Sequence, residues 1–154
     1  MVHYEVGNLL DAPVDYICHQ VNCQGKMNSG IAKQIRNRWP QVYDAYCKWY
    51  YSFENMLGSI QIVDIDHFDN SPSVINMAAQ QFYGYDGRRY TSYDAFWSCL
   101  GEIRNKVPKG SSIGFPYKIG CGLGGANWKV IEKMIEEVLG FDYNVYIYML
   151  EEEI

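Results

Sequence analysis

Apolar residues recur along this chain with two periods, and the alternation of those periods lays out its elements. Val2–Val6 reads as a short strand and "VDYICHQV" (Val14–Val21) as a more apolar one that belongs in the middle of a sheet. A glycine loop follows directly and leads into a helix starting near Ser29 or Gly30, where Asn28 or Ser29 supplies the cap. That helix stops at Trp39-Pro40, because proline disfavours helical backbone in the residue before it. Val42, Tyr46, Trp49 or Tyr50, and Phe53 then fall at helical spacing and predict a second helix with an aromatic face. "SIQIVDI" (Ser59–Ile65) alternates as a strand does, and "SVINMA" (Ser73–Ala78) reads as a buried strand. Tyr93, Phe96, Trp97, Leu100, Ile103 and Val107 mark another helix, and Pro108-Lys109-Gly110 turns the chain into the strand "SSIGFP". Trp128, Ile131, Met134, Ile135, Val138 and Leu139 form the face of a last helix closed by Gly140, and "NVYIYML" is the final strand. Strands and helices alternate except near the middle, where two strands follow one another. This order predicts an α/β fold, a three-layer α/β/α sandwich around a central mixed sheet.

Length and composition narrow the setting. The 154 residues suggest one domain spanning 1–154, and a hydrophobic content of 48% can fill a core of that size. No run of about 18 apolar residues marks a membrane span. The opening "MVHYEVGN" lacks the basic and apolar regions of a signal peptide, so a cytoplasmic protein is expected. Five cysteines, an odd number without CxxC spacing, agree with that setting; Cys18 and Cys47 read as buried thiols. The spacing of Cys18, His19 and Cys23 matches no common zinc pattern, and no metal or cofactor is expected. A formal net charge of −5 argues against a nucleic-acid-backbone binder. The fourteen tyrosines are commoner in a small α/β core than in base stacking, and the terminal "EEEI" reads as a solvated acidic end.

Two strand-to-helix junctions are rich in glycine, Gly25–Gly30 and Gly120–Gly125. In open α/β sheets ligands bind beyond the carboxyl ends of parallel strands. If the two strands run parallel, both loops share one rim and offer backbone N–H groups and a helix N-terminus to a negative charge such as phosphate. Gly25 and Gly30 have the spacing of a nucleotide-triphosphate loop, but Ile31-Ala32 stands where Lys-Ser/Thr is required. Gly120, Gly122 and Gly125 satisfy GxGxxG, yet the chain after them is too short for the rest of a dinucleotide-binding domain.

Taken together, "VGNLL" (Val6–Leu10), "VNCQGKMNSGIA" (Val21–Ala32), "YKIGCGLGGANW" (Tyr117–Trp128) and the terminal "VYIYML" resemble a macro domain, the fold that binds ADP-ribose. The resemblance spans nearly the whole chain. It is nearest to the subgroup containing yeast ADP-ribose 1″-phosphate phosphatase and terminal ADP-ribose protein glycohydrolase, a style also found in short phage proteins. It implies that Asn8, with Leu9 beside it, stands where many relatives carry an Asp that recognises the adenine amino group. Tyr148 would lie against adenine, and Asn22 would hold the distal-ribose hydroxyls. Gly30 and Ile31 would wall that ribose, with Lys26, Met27, Asn28 and Ser29 completing the first loop. Ile119, Gly120, Cys121, Gly122, Leu123 and Gly124 would wrap the diphosphate through backbone N–H groups, an approach that Cβ atoms would block.

Catalysis is the open point of the resemblance. Glycohydrolase relatives use a Lys after the "VINMA" strand, and some pair it with an Asp in the second loop; Gln80 and Gly124 stand at those positions. The pattern H-x-x-N-C places His19 as in the yeast phosphatase motif, where a histidine can act as nucleophile or general acid–base. Strand alternation puts His19 and Val21 on one face and Asn22 on the other, so a bend is needed to bring His19 and Asn22 to one ligand. Asp86, Arg88 and Arg89, in the Gly84–Arg89 loop, are candidates to cover the distal ribose or a terminal phosphate. His3 and His67 have no comparable context. The resemblance thus implies hydrolysis of an ADP-ribose derivative, with ADP-ribose 1″-phosphate favoured. The alternatives are a non-catalytic module that binds ADP-ribose or a nucleotide signal, and an ADP-ribosyl glycohydrolase with altered catalytic residues. The implied partner is ADP-ribose, a derivative, or an ADP-ribosylated macromolecule; nucleic acid and membranes are not expected partners.

Overall fold

The computed structural model describes residues 2–52, 55–66 and 70–154, so Phe53 and His67 lie outside the described residues. In chain order the elements are β1 (Val2–Val6), β2 (Tyr16–Asn22), α1 (Gly30–Arg38), α2 (Pro40–Ser52), β3 (Ile60–Val63), β4 (Ser73–Gln80), α3 (Tyr93–Lys106), β5 (Ser112–Pro116), α4 (Trp128–Leu139) and β6 (Asn144–Met149). Two short 3₁₀ turns, at Leu9–Asp11 and Glu151–Glu153, follow β1 and β6 and carry no periodic signal in the sequence.

The six strands form one sheet in the order β1-β6-β5-β2-β4-β3. Five of them are parallel, and only β3 runs antiparallel, against β4, so the sheet is mixed as the element order predicts. β4 lies inside the sheet, between β2 and β3, and is covered on both faces. That is why Val74–Ala79 is a continuous buried run rather than an alternating one, and why the strand extends through Gln80, beyond the apolar signal.

Two apolar clusters flank the sheet. Ile35 of α1 and Val42 and Tyr46 of α2 pack with Ile17, Val21, Val74 and Ala78 on one face. Phe96, Leu100 and Ile103 of α3 and Ile131, Ile135 and Leu139 of α4 pack with Cys18, Ile75, Met77, Phe115 and Ile147 on the other. The result is the three-layer α/β/α sandwich. The boundary between α1 and α2 is set by one proline. Trp39, ahead of Pro40, is non-helical at φ −129°, ψ 80°, and Pro40 itself begins α2, where its missing N–H is no loss. Gly140 closes α4 without the left-handed turn expected of a terminal glycine. It stays right-handed at φ −62°, and an added Cβ there would lie 2.6 Å from the Glu136 carbonyl oxygen.

Because β1, β2, β4, β5 and β6 are parallel, their C-terminal ends, Val6, Asn22, Gln80, Pro116 and Met149, all lie on one edge of the sheet. Every segment predicted to touch a ligand begins at that edge.

Candidate ligand-binding site

A cavity of about 350 Å³ runs along this edge, within the range usual for small-molecule clefts. The strand order fixes its two ends. Gly7, Asn8, Leu9, Pro116, Tyr117, Lys118, Tyr148, Leu150 and Glu153 line it where β1, β6 and β5 end; Gln20, Asn22, Gln80, Tyr83 and Tyr85 line it near β2 and β4. Between them the two glycine loops enter the same cavity: Lys26, Met27, Asn28, Ser29, Gly30 and Ile31 from one, Ile119, Gly120, Gly122, Leu123 and Gly124 from the other.

The first loop is held from below by a single amide. Asn22 Oδ1 accepts from Gln24 N–H (3.0 Å), Asn22 Nδ2 donates to the Lys26 carbonyl (3.0 Å), and Tyr46 Oη donates to the Asn22 backbone carbonyl (2.6 Å) with Asn22 Oδ1 close by at 2.9 Å. Gly25 N–H donates to Tyr46 Oη at 3.1 Å. Asn22 therefore acts first as the loop's internal support, with one N–H left for the cavity. Burial, the main influence on the Tyr46 phenol, holds its pKa well above the ordinary value, so it stays a hydroxyl throughout the working range.

Helix α1 opens at this loop with Ser29 in the N-cap position, but Ser29 makes no side-chain capping bond. Asn28, the other expected cap, accepts from Arg36 Nη1 instead, at 3.1 Å. The first residues of α1, Gly30, Ile31 and Ala32, line the cavity, and neither cap residue satisfies their N–H groups with a side chain.

The second loop is tied down from behind. Gly124 O accepts from Tyr90 N–H (2.8 Å) and Thr91 N–H (2.9 Å), and Gly120 O accepts from Thr91 Oγ1 (2.8 Å) and Ala126 N–H (2.9 Å). These carbonyls turn inward, and among the described residues the N–H groups of Gly122, Leu123 and Gly124 make no backbone hydrogen bond. Gly120, at φ +75°, takes a conformation that side chains rarely adopt, and a Cβ at Gly124 would lie 2.6 Å from the Gly120 carbonyl oxygen. Only glycine permits this turn.

Of the residues expected at a ligand, His19 and Cys121 do not line the cavity, nor do Asp86, Arg88 and Arg89 of the loop after β4. Cys121 is directed back at the Ile119 carbonyl, 3.4 Å from its Sγ. His19 is fully buried and lies between Ile17 and Val21 on the strand face that packs under α1 and α2. The β2–β4 register does shift between Val21 and Asn22, but His19 stays behind the shift. Asn76 Nδ2 donates to Gln61 Oε1 (2.9 Å), which leaves Asn76 Oδ1 to accept from His19 Nε2–H (2.5 Å). His19 Nδ1 is then a buried acceptor without a partner among the described residues. Burial, opposed by the bond to Asn76, lowers the His19 pKa to about 4, so the ring is neutral near pH 7.

Gln80 reaches the cavity with both of its polar atoms engaged. Its Oε1 accepts from Gln20 Nε2 and its Nε2 donates to the Phe82 carbonyl, each at 2.7 Å. In the loop beyond it, Arg88 pairs with Asp86 at 3.3 Å and Arg89 lies over the Tyr93 ring, 4.6 Å from its centre. Neither arginine lines the cavity; Tyr83 and Tyr85 of the same loop do. Those two tyrosines, Gln20 and Glu153 carried no sequence signal of a site, and Lys118 lay within the "YKIGCGLGGANW" segment without a role. Only Gln20, two residues before Asn22 on a strand, was within reach of pattern reasoning.

Residues 18–135 match the Macro domain family. The DNA ADP-ribosyl glycohydrolase of Mycobacterium tuberculosis is 28% identical over 135 residues, which are 88% of this chain and 38% of that protein. This chain thus spans well under half the length of that curated relative. The ADP-ribose 1″-phosphate phosphatase of Candida albicans is 23% identical over 164 residues, covering 96% of this chain and 99% of the relative. Among solved structures, the macrodomain of M. tuberculosis DarG superposes with a TM-score of 0.79 at 25% identity, covering 96% of this chain and 97% of the other. The chain belongs to the Macro domain family.

Proposed function

We propose that this macro domain binds ADP-ribose or a derivative along the cavity and removes a phosphate carried on C1″ of the distal ribose. The observation that carries the reading is the pair of glycine loops lining one cavity, each with backbone N–H groups that have no backbone acceptor among the described residues. A diphosphate supplies the acceptors for both. Adenosine then extends to the Tyr148 end, and the distal ribose to the end bounded by Asn22, Asn28 and Gln80. ADP-ribose 1″-phosphate is the favoured substrate because similarity to a protein named for that activity extends over 99% of the relative's length. Water adds across the P–O bond, giving ADP-ribose and inorganic phosphate, and the loop N–H groups stabilise the charge that develops.

A non-catalytic binding module is the second reading. It is favoured by Gln80, neutral and bonded at both ends, and by His19, sealed behind the sheet. Calorimetry with ADP-ribose, AMP and single-stranded DNA tests binding, and phosphate release from ADP-ribose 1″-phosphate tests catalysis. Tight binding of ADP-ribose without release of any group from the 1″-phosphate, from ADP-ribosylated DNA or from an ADP-ribosylated glutamyl peptide leaves the binding module. If His19→Gln abolishes release but keeps affinity for ADP-ribose, His19 belongs to the chemistry.

A further inference from the structure

Strand β1 closes one side of the sheet, and its outer edge is bare. Among the described residues it pairs with β6 alone, in parallel and without a bulge. Gly7 N–H donates to the Met149 carbonyl at 2.8 Å, which turns the backbone groups of His3, Glu5 and Gly7 toward β6. Those of Val2, Tyr4 and Val6 therefore point away from the sheet, and none of them has a hydrogen-bond partner among the described residues. Natural sheets guard such an edge with proline, lysine, a bulge or a covering segment. "VHYEV" contains neither proline nor lysine, and Tyr4 and Val6 are 42% and 50% exposed.

The strand is also complementary to itself. Turned end for end about Tyr4, a second β1 sets Val2 opposite Val6, Tyr4 opposite Tyr4 and His3 opposite Glu5. The outward-facing residues become the hydrogen-bonded pairs, each exchanging both of its backbone bonds. His3 and Glu5 become the closer, non-hydrogen-bonded pair, an imidazole beside a carboxylate, and the two-fold axis makes that contact twice. Their side chains share the sheet face of Tyr146 and Tyr148, whereas Val2, Tyr4 and Val6 share the other. The smallest slip that keeps the outward groups matched is two residues. It sets Glu5 against Glu5 in one direction and His3 against His3 in the other, so charge selects a single register.

We infer that the outer edge of β1 is a self-association surface: two copies of this chain join β1 to β1, antiparallel, into one continuous sheet. The strands of the two halves then run in opposite directions, so their ligand cavities open at opposite edges of the double sheet and neither covers the other. The inference stands whether or not ADP-ribose is the ligand.

Sedimentation equilibrium over a range of protein concentrations tests it. Wild type is expected to reach twice the mass of the single chain. Y4P removes an outward N–H that no bond inside the subunit uses, so the ladder to β6 is kept and the dimer is lost. Far-UV circular dichroism checks that this variant is folded, and two charge variants carry the test without altering the backbone. H3E sets carboxylates opposite each other at both contacts and weakens the dimer by about tenfold or more. H3E/E5K puts opposite charges back and recovers it. A monomer at every concentration overturns the inference, as does a dimer that survives folded Y4P or H3E, or one that H3E/E5K fails to recover. Extra mass contributed by a co-purifying peptide gives the edge to a different partner and overturns it as well.

Discussion

His19 illustrates how one residue can have a chemical motif and a structural fate that point in different directions. Its folded pKa of about 4 lies below the ordinary 6.5 of an exposed histidine. The neutral form therefore contributes stability that is fully present above about pH 6.5 and lost as the pH falls through 4. Over that window the loss is about 3 kcal/mol. Urea unfolding at pH 7, 5.5 and 4 should find it in wild type and not in His19→Gln; parallel decline of the two proteins would assign the effect elsewhere. Two glycines separate another pair of single-residue roles. Gly30, at φ +59°, has nothing within 4 Å of an added Cβ, whereas a Cβ at Gly124 meets the Gly120 carbonyl and Thr91. Gly30→Ala is expected to cost about 1 kcal/mol of backbone strain and to intrude only on the ligand. Gly124→Ala must displace the second loop, and ADP-ribose affinity should drop at least about tenfold. Unchanged affinity in Gly124→Ala would mean that this loop is no phosphate cradle.

At the level of elements, the site depends on loops that carry their own internal hydrogen bonds. The first is a closed unit of Asn22, Tyr46 and the Gly25 and Lys26 backbone. Removing its centre, Asn22→Ala, strands several polar groups and should cost about 2 kcal/mol of stability, with a loss of ADP-ribose affinity beyond that of Tyr46→Phe. Helix α4 is the contrasting case. Its apolar face, Ile131, Ile135 and Leu139, is fully buried, and its role is to cover the sheet. Ile135→Ala should lower stability by about 3 kcal/mol in denaturant unfolding. Its ADP-ribose affinity at 25 °C should match wild type; a parallel loss of affinity would mean that α4 packing governs the second loop.

For the whole molecule, a net charge of −5 makes recognition of an anion a local matter. The attraction comes from N–H dipoles at two loops and one helix end rather than from an overall field. Ligand binding is also linked to folding. At a free ADP-ribose concentration about 100 times its Kd, the native state gains about 2.7 kcal/mol, which for a chain of this size raises the thermal midpoint by about 5–10 °C. AMP, which reaches only one end of the cavity, should raise it less at equal concentration. A midpoint indifferent to ADP-ribose would remove the ligand assignment.

The element order, the layer architecture and both glycine loops were legible in the chain itself. They depend on local periodicity, on proline and glycine backbone limits, and on the rule that parallel strands send their following loops to one edge. Tertiary structure alone decided which side chains reach the ligand. A strand pattern could not say that His19 would be sealed under α2, that Asn22 would be consumed largely inside its own loop, or that Arg88 would turn back to Asp86. Nor could it bring Glu153 to the rim, since that placement follows from β1 pairing with β6 across the length of the chain. Local sequence sets backbone conformation within a few residues. The direction of a polar side chain depends on partners that only the folded sheet brings within hydrogen-bonding distance.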